Sequence, residues 1–459
     1  MADLSIDLAG IKSPNPFWLA SAPPTNSGDQ VMRAFDEGWG GAVWKTLGDP
    51  IVNVSSRLGG LHEDGRLVGL NNIELITDRP LEVNLREIRE VKKRYPDRAV
   101  VVSLMVESKE DWREIIRRAE DTGCDGLELN FGCPHGMCER GMGSAVGQEP
   151  EVLREITSWA VEFASTPVLV KLSPNVSDIL DAGVPAVEAG AHGLSLINTV
   201  KSLIGVDLDR LVPLPRVGRR SSNGGYCGPA VKPIALHMVA SLAREPRITV
   251  PLSGIGGVGT WKDAAEFIAL GATGVQVCTA VMRYGYRIVR EMIDGLERYL
   301  DEKGFASVGE LCGRAVPRFV EWGDLDLNYR VIADIDPESC IGCRLCVAAC
   351  EDGAHQCIHS PGVEPIPGHR APRAAEAARR LEASRRAPGG RRRRFEELYR
   401  VPWVDETDCV GCNLCALVCP VPGCITMRES DRGLPFESWA DRVAKGTDHV
   451  PGGLHDDAS

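Results

Sequence analysis

Short apolar runs alternate with longer amphipathic stretches along residues 17–304. The apolar runs are rich in β-branched residues, as buried parallel strands are, and the longer stretches carry charges on one face and aliphatic residues on the other, as surface helices do. The predicted strands are 17–22, 41–47, 99–106, 126–131, 168–173, 193–200, 248–254 and 274–280, and examples of the predicted helices are 111–122, 151–164, 232–244 and 284–301. Eight strand–helix pairs predict an α/β fold and favour a closed (β/α)8 TIM barrel over an open doubly wound sheet.

The pattern changes beyond the predicted barrel, which occupies residues 1–304. Residues 305–330 are predicted to be a connector, 331–430 a second domain and 431–459 a flexible polar tail. Within the second domain, residues 360–400 form a Pro-, Ala- and Arg-rich insertion that ends in the run Arg391–Arg394. A solvated excursion is the favoured interpretation, and a docking patch for an acidic redox partner is the alternative.

Composition narrows the class of protein. In 459 residues, 43% are hydrophobic and 25% charged, the balance of a globular protein with a large core. The formal net charge of −12 argues against nucleic-acid binding, and no apolar stretch is long enough to predict a membrane span. The sequence MADLSIDLAGIKSPNPF at the start lacks the pattern of a signal peptide, so we expect a cytoplasmic protein.

Ten of the sixteen cysteines crowd into residues 340–424. Eight of them form two copies of the spacing C-x2-C-x2-C-x3-C, which is the pattern of a ferredoxin-like domain with two [4Fe–4S] clusters. In that pattern the fourth cysteine of each run ligates the other cluster. The predicted ligand sets are Cys340, Cys343, Cys346 and Cys419 for one cluster, and Cys409, Cys412, Cys415 and Cys350 for the other.

Structural zinc is the alternative for such a cysteine cluster, since two C-x2-C pairs can surround one tetrahedral ion. Zinc needs four ligands and not eight in this rhythm, so the doubled run favours iron–sulfur. Cys357 and Cys424 lie just beyond the two runs and are interpreted as buried bystanders or hydrogen-bonding neighbours of the clusters.

Polar residues follow the predicted barrel strands at their C-terminal ends, where barrels of this class carry their chemistry. They are Ser21, Lys45, Asn130, Cys133, Lys171, Asn198 and Thr199. Each alone could be a satisfied core or loop residue. A buried lysine is costly, however, unless an anion or an electron-rich ring accompanies it. Two lysines at strand ends therefore favour a bound cofactor.

A glycine-rich segment, SGIGGVG at 253–259, contains the motif G-x-G-x-x-G. A Rossmann site is not predicted, because no acidic residue follows at the ribose position and the motif falls on the seventh barrel strand. The loops after strands seven and eight of a barrel bind phosphate through backbone N–H groups. Gly256, Gly257 and Thr279 are therefore predicted to bind the phosphate of FMN, and a tight turn is the plainer alternative.

Cys133 follows the fourth predicted strand, in the segment LELNFGCPHGMCERGMGS at 127–144, which could move as a lid. A thiol with a pKa of about 8.5 is mostly protonated at neutral pH yet able to give up its proton. Cys133 is therefore predicted to be the catalytic proton donor, in contrast to buried structural cysteines such as Cys124 or Cys278. His135 is interpreted as an incidental loop residue.

The motifs at these positions resemble the dihydropyrimidine dehydrogenase family, and most of all the pyrimidine-reducing subunit of the bacterial NAD-dependent enzyme, with a barrel related to that of dihydroorotate dehydrogenase. The likeness covers residues 1–430 and lies in LASAPPT (19–25), NIEL (72–75), NFGCPHGM (130–137), KLSPNV (171–176), NTV (198–200), GPAVKPIAL (228–236) and SGIGG (253–257). The resemblance implies that FMN is held by Ala20, Ser21, Lys45, Lys171, Thr199, Gly228, Gly256, Gly257 and Thr279. It also implies that Asn72, Asn130, Asn198 and Thr199 bind the pyrimidine and that Cys133 protonates it.

Two residues depart from the family pattern. Gly132 stands where the family often has serine, and Cys138 stands where glycine is usual in the lid. Both departures bear on the identity of the substrate. The arginine-rich insertion is also longer than the family norm, which leaves the cluster chemistry intact and bears on docking.

The predicted function is the reduction of uracil or thymine to the 5,6-dihydro base, or the reverse reaction. FMN would pass hydride to C6 while Cys133 protonates C5, and the two clusters would supply electrons to the flavin. No nicotinamide or FAD fold is recognisable in the sequence, so NADH oxidation is expected on a partner FAD-containing iron–sulfur subunit of a hetero-oligomer. The alternatives are dihydroorotate oxidation by a related barrel, and a non-catalytic electron-transfer module, against which the convergent asparagines argue.

Overall fold

A short antiparallel hairpin precedes the main sheet in the computed structural model, which describes residues 2–49, 52–133, 141–360 and 401–448. It consists of β1 (Ile6–Leu8) and β2 (Ile11–Ser13). Ile11 is buried, and an added Cβ on Gly126 would lie 2.6 Å from its Cδ1 atom. The hairpin therefore packs at the N-terminal end of the strand that begins at Gly126.

Eight of the strands that follow close into a parallel barrel. In chain order the strands are β3 (Phe17–Leu19), β4 (Gly41–Leu47), β5 (Leu58–Glu63), β6 (Arg66–Asn72), β7 (Ala99–Leu104), β8 (Gly126–Asn130), β9 (Val168–Lys171), β10 (Gly193–Leu196), β11 (Val200–Ser202), β12 (Val206–Asp207), β13 (Val212–Pro213), β14 (Gly224–Cys227), β15 (Leu252–Ile255) and β16 (Ala272–Val277). The barrel order is β3-β4-β7-β8-β9-β10-β15-β16, and β16 pairs with β3 to close it. The predicted TIM barrel is confirmed, with one observed strand at each of the eight predicted positions.

A helix follows each barrel strand and packs its apolar face on the barrel, as the amphipathic pattern predicts. These eight helices are α1 (Gly28–Glu37), α2 (Leu81–Arg94), α3 (Lys109–Glu120), α5 (Pro150–Phe163), α6 (Leu180–Glu188), α7 (Lys232–Arg244), α8 (Trp261–Ala269) and α10 (Ile288–Lys303), and three short helices are α4 (Ser144–Gly147), α9 (Thr279–Tyr284) and α11 (Val308–Leu311). Serine or threonine side chains cap several N-termini. Ser108 accepts from the backbone N–H of Asp111, and Thr260 accepts from that of Asp263.

A four-stranded antiparallel sheet with the order β11-β14-β6-β5 stands apart from the barrel strands. Its strands come from two separate excursions, one after β4 and one after β10, and β12 with β13 forms a small hairpin within the second excursion. The pairing of Asn72 with Gly225 joins the two excursions. This sheet brings Asn72, on the first excursion, beside the segment that follows β10.

The chain divides into two compact units between Phe319 and Val320. The second unit contains β17 (Val331–Ile335), β18 (Ile358–His359), β19 (Trp403–Val404), β20 (Ile425–Glu429), α12 (Leu345–Gly353), α13 (Leu414–Leu417) and α14 (Trp439–Ala444). Here β17 pairs with β20, and β18 with β19. Of the arginine-rich insertion predicted over 360–400, residues 361–400 lie outside the described residues, as does the end of the predicted tail, 449–459.

The second unit is an internal repeat around the two cysteine runs. Asp336 and Asp405 begin equivalent turns: each accepts, through its backbone oxygen, a 3.1 Å bond from the N–H of the first cysteine of its run. The N–H of Asp336 donates to the oxygen of Cys424, and that of Asp405 to the oxygen of Cys357. The turn before each cysteine run is therefore hydrogen-bonded to the residue that follows the other run. Neither cysteine run is held in place by local sequence alone.

None of the described helices is both long enough and apolar enough to cross a membrane.

Candidate functional site

A cavity of about 420 Å³ opens at the C-terminal ends of the barrel strands. Its volume lies within the range of cofactor and small-molecule sites. The residues for which the sequence predicts contact with FMN or pyrimidine all line it, together with the predicted proton donor: Ala20, Ser21, Lys45, Asn72, Asn130, Cys133, Lys171, Asn198, Thr199, Gly228, Gly256, Gly257 and Thr279. The fold therefore brings together side chains from most of the barrel loops.

Lys171 ends strand β9 and is almost fully buried. Within the described part of the chain, the one hydrogen-bond or ion-pair partner of its ammonium group is Glu128, whose Oε1 atom lies 3.4 Å from the ammonium nitrogen. Glu128 has no exposed surface, and its Oε2 atom accepts bonds from Ser195 Oγ at 2.8 Å and Gln276 Nε2 at 3.0 Å. An ammonium has three N–H donors. The Lys171 group therefore has donors to spare on the cavity wall, which fits an electron-rich ligand such as a flavin ring.

Lys45, on strand β4, is buried to the same extent but paired more closely. Its ammonium nitrogen lies 2.5 Å from Glu74 Oε1, which also accepts from Arg57 at 2.9 Å. Arg57 contacts Asp78 as well, at 3.1 Å. Glu74 therefore carries two cationic partners, and its charge remains compensated if Lys45 turns toward a ligand.

Two of the three asparagines that line the cavity, Asn130 and Asn198, are joined by a hydrogen bond. Asn198 Nδ2 donates to Asn130 Oδ1 at 2.9 Å, and Asn130 Nδ2 donates to Thr46 Oγ1 at 3.0 Å. Asn198 Oδ1 accepts from the backbone N–H of Thr199 at 2.8 Å. Asn72 comes from strand β6, where its Oδ1 atom accepts from the N–H of Glu74 at 2.7 Å. The carboxamides are thus fixed in orientation by the protein before a substrate is present.

Cys133 packs among Ile76, Met105 and Met142 and is 8% exposed. Its backbone oxygen accepts from the N–H of Ser144 at 2.9 Å. The apolar surroundings and the position on the cavity wall suit a protonated thiol that meets a substrate. Residues 134–140, with His135 and Cys138, lie outside the described residues, so the predicted lid stays a prediction.

The segment after β15 brings backbone close to the cavity. Gly257 has a φ of +75°, and a Cβ there would lie 2.7 Å from Lys232 Cβ and 3.0 Å from the oxygen of Gly228. Gly256, with a φ of +127°, would meet Ala235 at 2.8 Å. Side chains are therefore excluded from this loop, which leaves the backbone accessible in the way that a phosphate cradle requires.

Two further thiols line the same cavity. Burial raises the pKa of Cys278 to about 12 and also raises the pKa of Cys227, so both are neutral at physiological pH. Cys227 Sγ accepts a hydrogen bond from Thr279 Oγ1 at 3.3 Å. Cys227 and Thr279 are in contact and Gly228 follows Cys227 in the chain, whereas Cys133 comes shortly after Asn130.

Two smaller cavities in the second unit are each lined by five cysteines. One is lined by Cys340, Cys343, Cys346, Cys419 and Cys424, and the other by Cys350, Cys357, Cys409, Cys412 and Cys415. The last cysteine of each run therefore lies in the cavity of the other run, as the predicted ligand sets require. Within the described residues, no three His, Cys, Asp or Glu side chains lie close enough together to hold a single metal ion.

The fifth cysteine of each cavity lies against the ligand candidates. Cys357 Sγ is 3.6 Å from Cys350 Sγ, and Cys424 is a neighbour of Cys340 and Cys419. Burial raises the pKa of the Cys357 thiol and that of the Cys424 thiol. A neutral thiol can donate a weak hydrogen bond to a ligand sulfur, and such bonds help to set cluster potentials. The positions fit the interpretation of Cys357 and Cys424 as hydrogen-bonding neighbours.

Sequence reasoning missed the polar residues that support this site from inside the barrel. Glu128 and Gln276 lie within apolar strands, and Thr46 accepts the hydrogen bond of Asn130. The sequence did contain a signal for Glu128 and Gln276, because each is a charged or amide residue inside an otherwise apolar strand. Such a group is rarely buried without a polar partner.

Both units of the chain match known protein families. The family model for dihydroorotate dehydrogenase matches residues 3–300, and that for the 4Fe-4S binding domain matches 333–354 and 402–422. The chain is 43% identical over 359 residues to the NAD-dependent dihydropyrimidine dehydrogenase subunit PreA of Escherichia coli strain K12, a match that covers 78% of this chain and 87% of the relative.

Two other likenesses concern the barrel. The catalytic subunit of dihydroorotate dehydrogenase B (NAD(+)) of Pyrococcus abyssi is 38% identical over 317 residues, which cover 68% of this chain and 99% of the relative. A crystal structure of the dihydroorotate dehydrogenase of Eimeria tenella, in complex with ferulenol, has a TM-score of 0.57 at 20% identity and covers 68% of this chain and 88% of that one. The latter likeness shows the barrel fold alone.

Proposed function

Because the chain belongs to the dihydroorotate dehydrogenase family and carries 4Fe-4S binding segments, we propose that it is the pyrimidine-reducing subunit of an NAD-dependent dihydropyrimidine dehydrogenase. The reaction is the reduction of uracil or thymine to the 5,6-dihydro base, or its reverse. The observation that carries the proposal is the single cavity in which two buried lysines, three asparagines and Cys133 meet.

The residues on the lysine side of the cavity fit FMN. Lys171 and Lys45 would hold the electron-rich ring, and Gly228, Gly256, Gly257 and Thr279 the phosphate, with Ala20, Ser21 and Thr199 completing the contacts. When bound, FMN supplies hydride chemistry and accepts single electrons from iron–sulfur clusters. The buried donors of Lys171 support this assignment, because among the described residues their one acceptor is the Glu128 oxygen at 3.4 Å.

Side chains of this chain would bind the substrate, orient it and donate a proton to it. Asn72, Asn130, Asn198 and Thr199 would hydrogen-bond the C=O and N–H groups of the pyrimidine and hold it in one orientation. Cys133 would donate the proton that C5 receives, with its thiol held against apolar neighbours. The thiolate that forms recovers its proton from solvent between turnovers.

The two cysteine-lined cavities would each hold a [4Fe–4S] cluster. The sets are Cys340, Cys343, Cys346 and Cys419, and Cys409, Cys412, Cys415 and Cys350. Electrons would reach them from an FAD-containing, NADH-oxidising iron–sulfur subunit in a cytoplasmic hetero-oligomer. The name of the Escherichia coli relative, a subunit of an NAD-dependent enzyme, supports such a partner. The boundaries 1–304 for the catalytic barrel and 331–430 for the cluster domain are part of this proposal.

Dihydroorotate oxidation is the second candidate, because the Pyrococcus abyssi relative bears that name. Its likeness covers 99% of that relative but 68% of this chain, which also has cysteine runs as far as Cys419. The match to the Escherichia coli relative covers more of the chain, 78%, which favours the first candidate.

Anaerobic half-reactions separate the candidates. The reduced, cofactor-loaded protein should be reoxidised by uracil or thymine, and the oxidised protein should not be reduced by dihydroorotate, as followed by flavin absorbance. The Cys133→Ser variant should keep FMN and iron but lose most of the turnover, because a hydroxyl is a far weaker acid. Unchanged turnover in that variant would remove Cys133 from the mechanism, and a flavin that no pyrimidine reoxidises would refute the proposal.

A further inference from the structure

Gly132 lies between Asn130 and Cys133 and packs against the side chain of Asn198. The space between them is too small for a Cβ atom on residue 132. A Cβ built on Gly132 would lie 2.4 Å from Asn198 Cβ, 2.5 Å from Nδ2 and 2.7 Å from Cγ. Separations under 3.0 Å are essentially never seen for real Cβ atoms. Two of the three atoms lie at the base of the Asn198 side chain, which a rotation of the amide does not move far. Asn198 therefore occupies the space that any side chain at position 132 would need.

This close approach lets Asn198 reach Asn130. The Nδ2 atom of Asn198 donates to Asn130 Oδ1 at 2.9 Å, and the N–H of Gly132 donates to the same oxygen at 3.3 Å. The other end of the Asn130 amide donates to Thr46 Oγ1, which lies 2.9 Å from Ser103 Oγ. The two amides are consequently tied to each other and to the buried barrel interior.

Counting donors and acceptors shows what remains for a ligand. A carboxamide has two N–H donors and an oxygen that accepts two bonds. Asn198 uses one donor toward Asn130 and one acceptor position for the N–H of Thr199, so it keeps one donor and one acceptor. Asn130 keeps one donor. The pair can therefore bind a C=O and an adjacent N–H at once, which is the edge of a cyclic amide.

We propose that Gly132 positions the substrate-binding amides in this chain: the missing Cβ lets Asn198 pack against Asn130, so that the two carboxamides bind one C=O/N–H edge of the substrate as a single unit. This inference rests on the proposed function. A serine at position 132 would add a hydroxyl to the cavity but would displace Asn198 from Asn130. Glycine in place of serine therefore changes how Asn198 and Asn130 contact the substrate, in addition to removing a hydroxyl group.

The first test compares Gly132→Ala and Gly132→Ser in the full chain. Binding of uracil and of thymine is measured by calorimetry, and KM and kcat are measured with a chemical electron donor. Both variants should bind either base about tenfold more weakly, because the displaced amide loses its hydrogen bonds. KM should rise more than kcat falls, since Cys133 keeps its place. Flavin and iron content should stay at the wild-type level.

Gly309→Ala is the matched control. A Cβ there would have Ser307 Oγ, 3.6 Å away, as its nearest contact, and the residue lies in α11, outside the residues that line the cavity. This variant should bind both bases as the wild type does. A loss of binding at Gly132 that Gly309→Ala shares would reflect a general effect of alanine and would contradict the proposal.

Asn198→Gly supplies the second test, because it removes both the amide and the Cβ that would clash. In this background Gly132→Ala should cost no further affinity, so the two substitutions should be strongly non-additive. If Gly132→Ala alone does not fold, the double variant should fold, since the overlap is gone. A double variant that fails to fold, or an equal loss of affinity in both backgrounds, would overturn the inference.

The outcomes also separate this inference from the function on which it rests. Wild-type protein that binds uracil and thymine, with Gly132→Ala or Gly132→Ser binding them equally well, would overturn the role of Gly132 and leave the function standing. Wild-type protein that binds neither base would overturn both.

Discussion

Replacing Glu128 by glutamine tests the charge balance beneath the cavity. Glu128 is fully buried, and its carboxylate is the counter-charge of Lys171, whose ammonium lies 3.4 Å from Oε1. Glutamine keeps a side-chain oxygen that can accept from Ser195 but removes the negative charge. We expect the cofactor-free protein to lose stability, because a buried ammonium is left without an anion.

The size of the loss follows from the burial of both groups. Removal of one partner of a buried ion pair costs about 3–5 kcal/mol. The lower end applies here, at about 3 kcal/mol, because glutamine preserves the neutral hydrogen bonds of the site. Bound FMN would offer Lys171 new acceptors, and a hydrogen bond that involves a charged group contributes about 1.5–3 kcal/mol. The loss should therefore shrink by at least about 1 kcal/mol when FMN is saturating.

Urea denaturation of the full chain, with and without FMN, measures both quantities. The buried tryptophans of the barrel, Trp18, Trp44 and Trp112, report its unfolding by fluorescence. Ser195→Ala is the control: it removes one neutral donor to Glu128, should cost about 1 kcal/mol, and should respond to FMN as the wild type does. A Glu128→Gln protein as stable as the wild type, or a loss that FMN leaves unchanged, would refute the assignment of Glu128 as the counter-charge.

Three further outcomes are expected. Cys343→Ala and Cys412→Ala should each remove about half of the iron and sulfide, and the double variant nearly all of it, as measured by chemical analysis. Gly257→Ala should weaken FMN retention by about tenfold or more, since its φ is +75° and the new Cβ would lie 2.7 Å from the nearest side-chain atom. The hydrogen bonds of Arg79, opposed by burial, hold the pKa of Glu87 below 4.5, so this carboxylate stabilises the fold above that pH and loses its effect as the pH falls. Glu87→Gln should therefore flatten the decline of stability in acid, followed by circular dichroism.

The barrel could be predicted from the sequence because each buried strand is a short apolar run and each helix has one apolar face. Boundaries were less accurate where a local feature interrupts the pattern. The run predicted as a strand over 248–254 is a strand from Leu252, after Pro251, which has no N–H to contribute to the sheet. The helix predicted over 284–301 begins at Ile288, because Gly285, with a φ of +80°, ends α9 first.

The four-stranded sheet beside the barrel could not be predicted in the same way. Three of its four strands contain glycine, and the strands come from two loops separated by more than a hundred residues, as the pairing of Asn72 with Gly225 shows. Strand pairing of this kind is decided by tertiary contacts, which leave no local period in the sequence. The position of Asn72 on the cavity wall was accessible through the family resemblance and not through periodicity.

The ion-pair partners of Lys45 and Lys171 are also decided by tertiary contacts that the sequence pattern does not reveal. These partners differ, and so the two lysines are expected to bind a ligand in different ways. Lys45 shares Glu74 with Arg57, so a ligand can draw Lys45 away and leave the carboxylate paired. Lys171 has Glu128 at 3.4 Å and no second cation beside that carboxylate among the described ion pairs, so its ammonium has to stay where it is and bind the ligand with its remaining donors. Lys171 is therefore expected to contribute more than Lys45 to the binding of an electron-rich ring. The Lys171→Met variant should lose more FMN affinity than the Lys45→Met variant, and an equal loss in the two would contradict this difference.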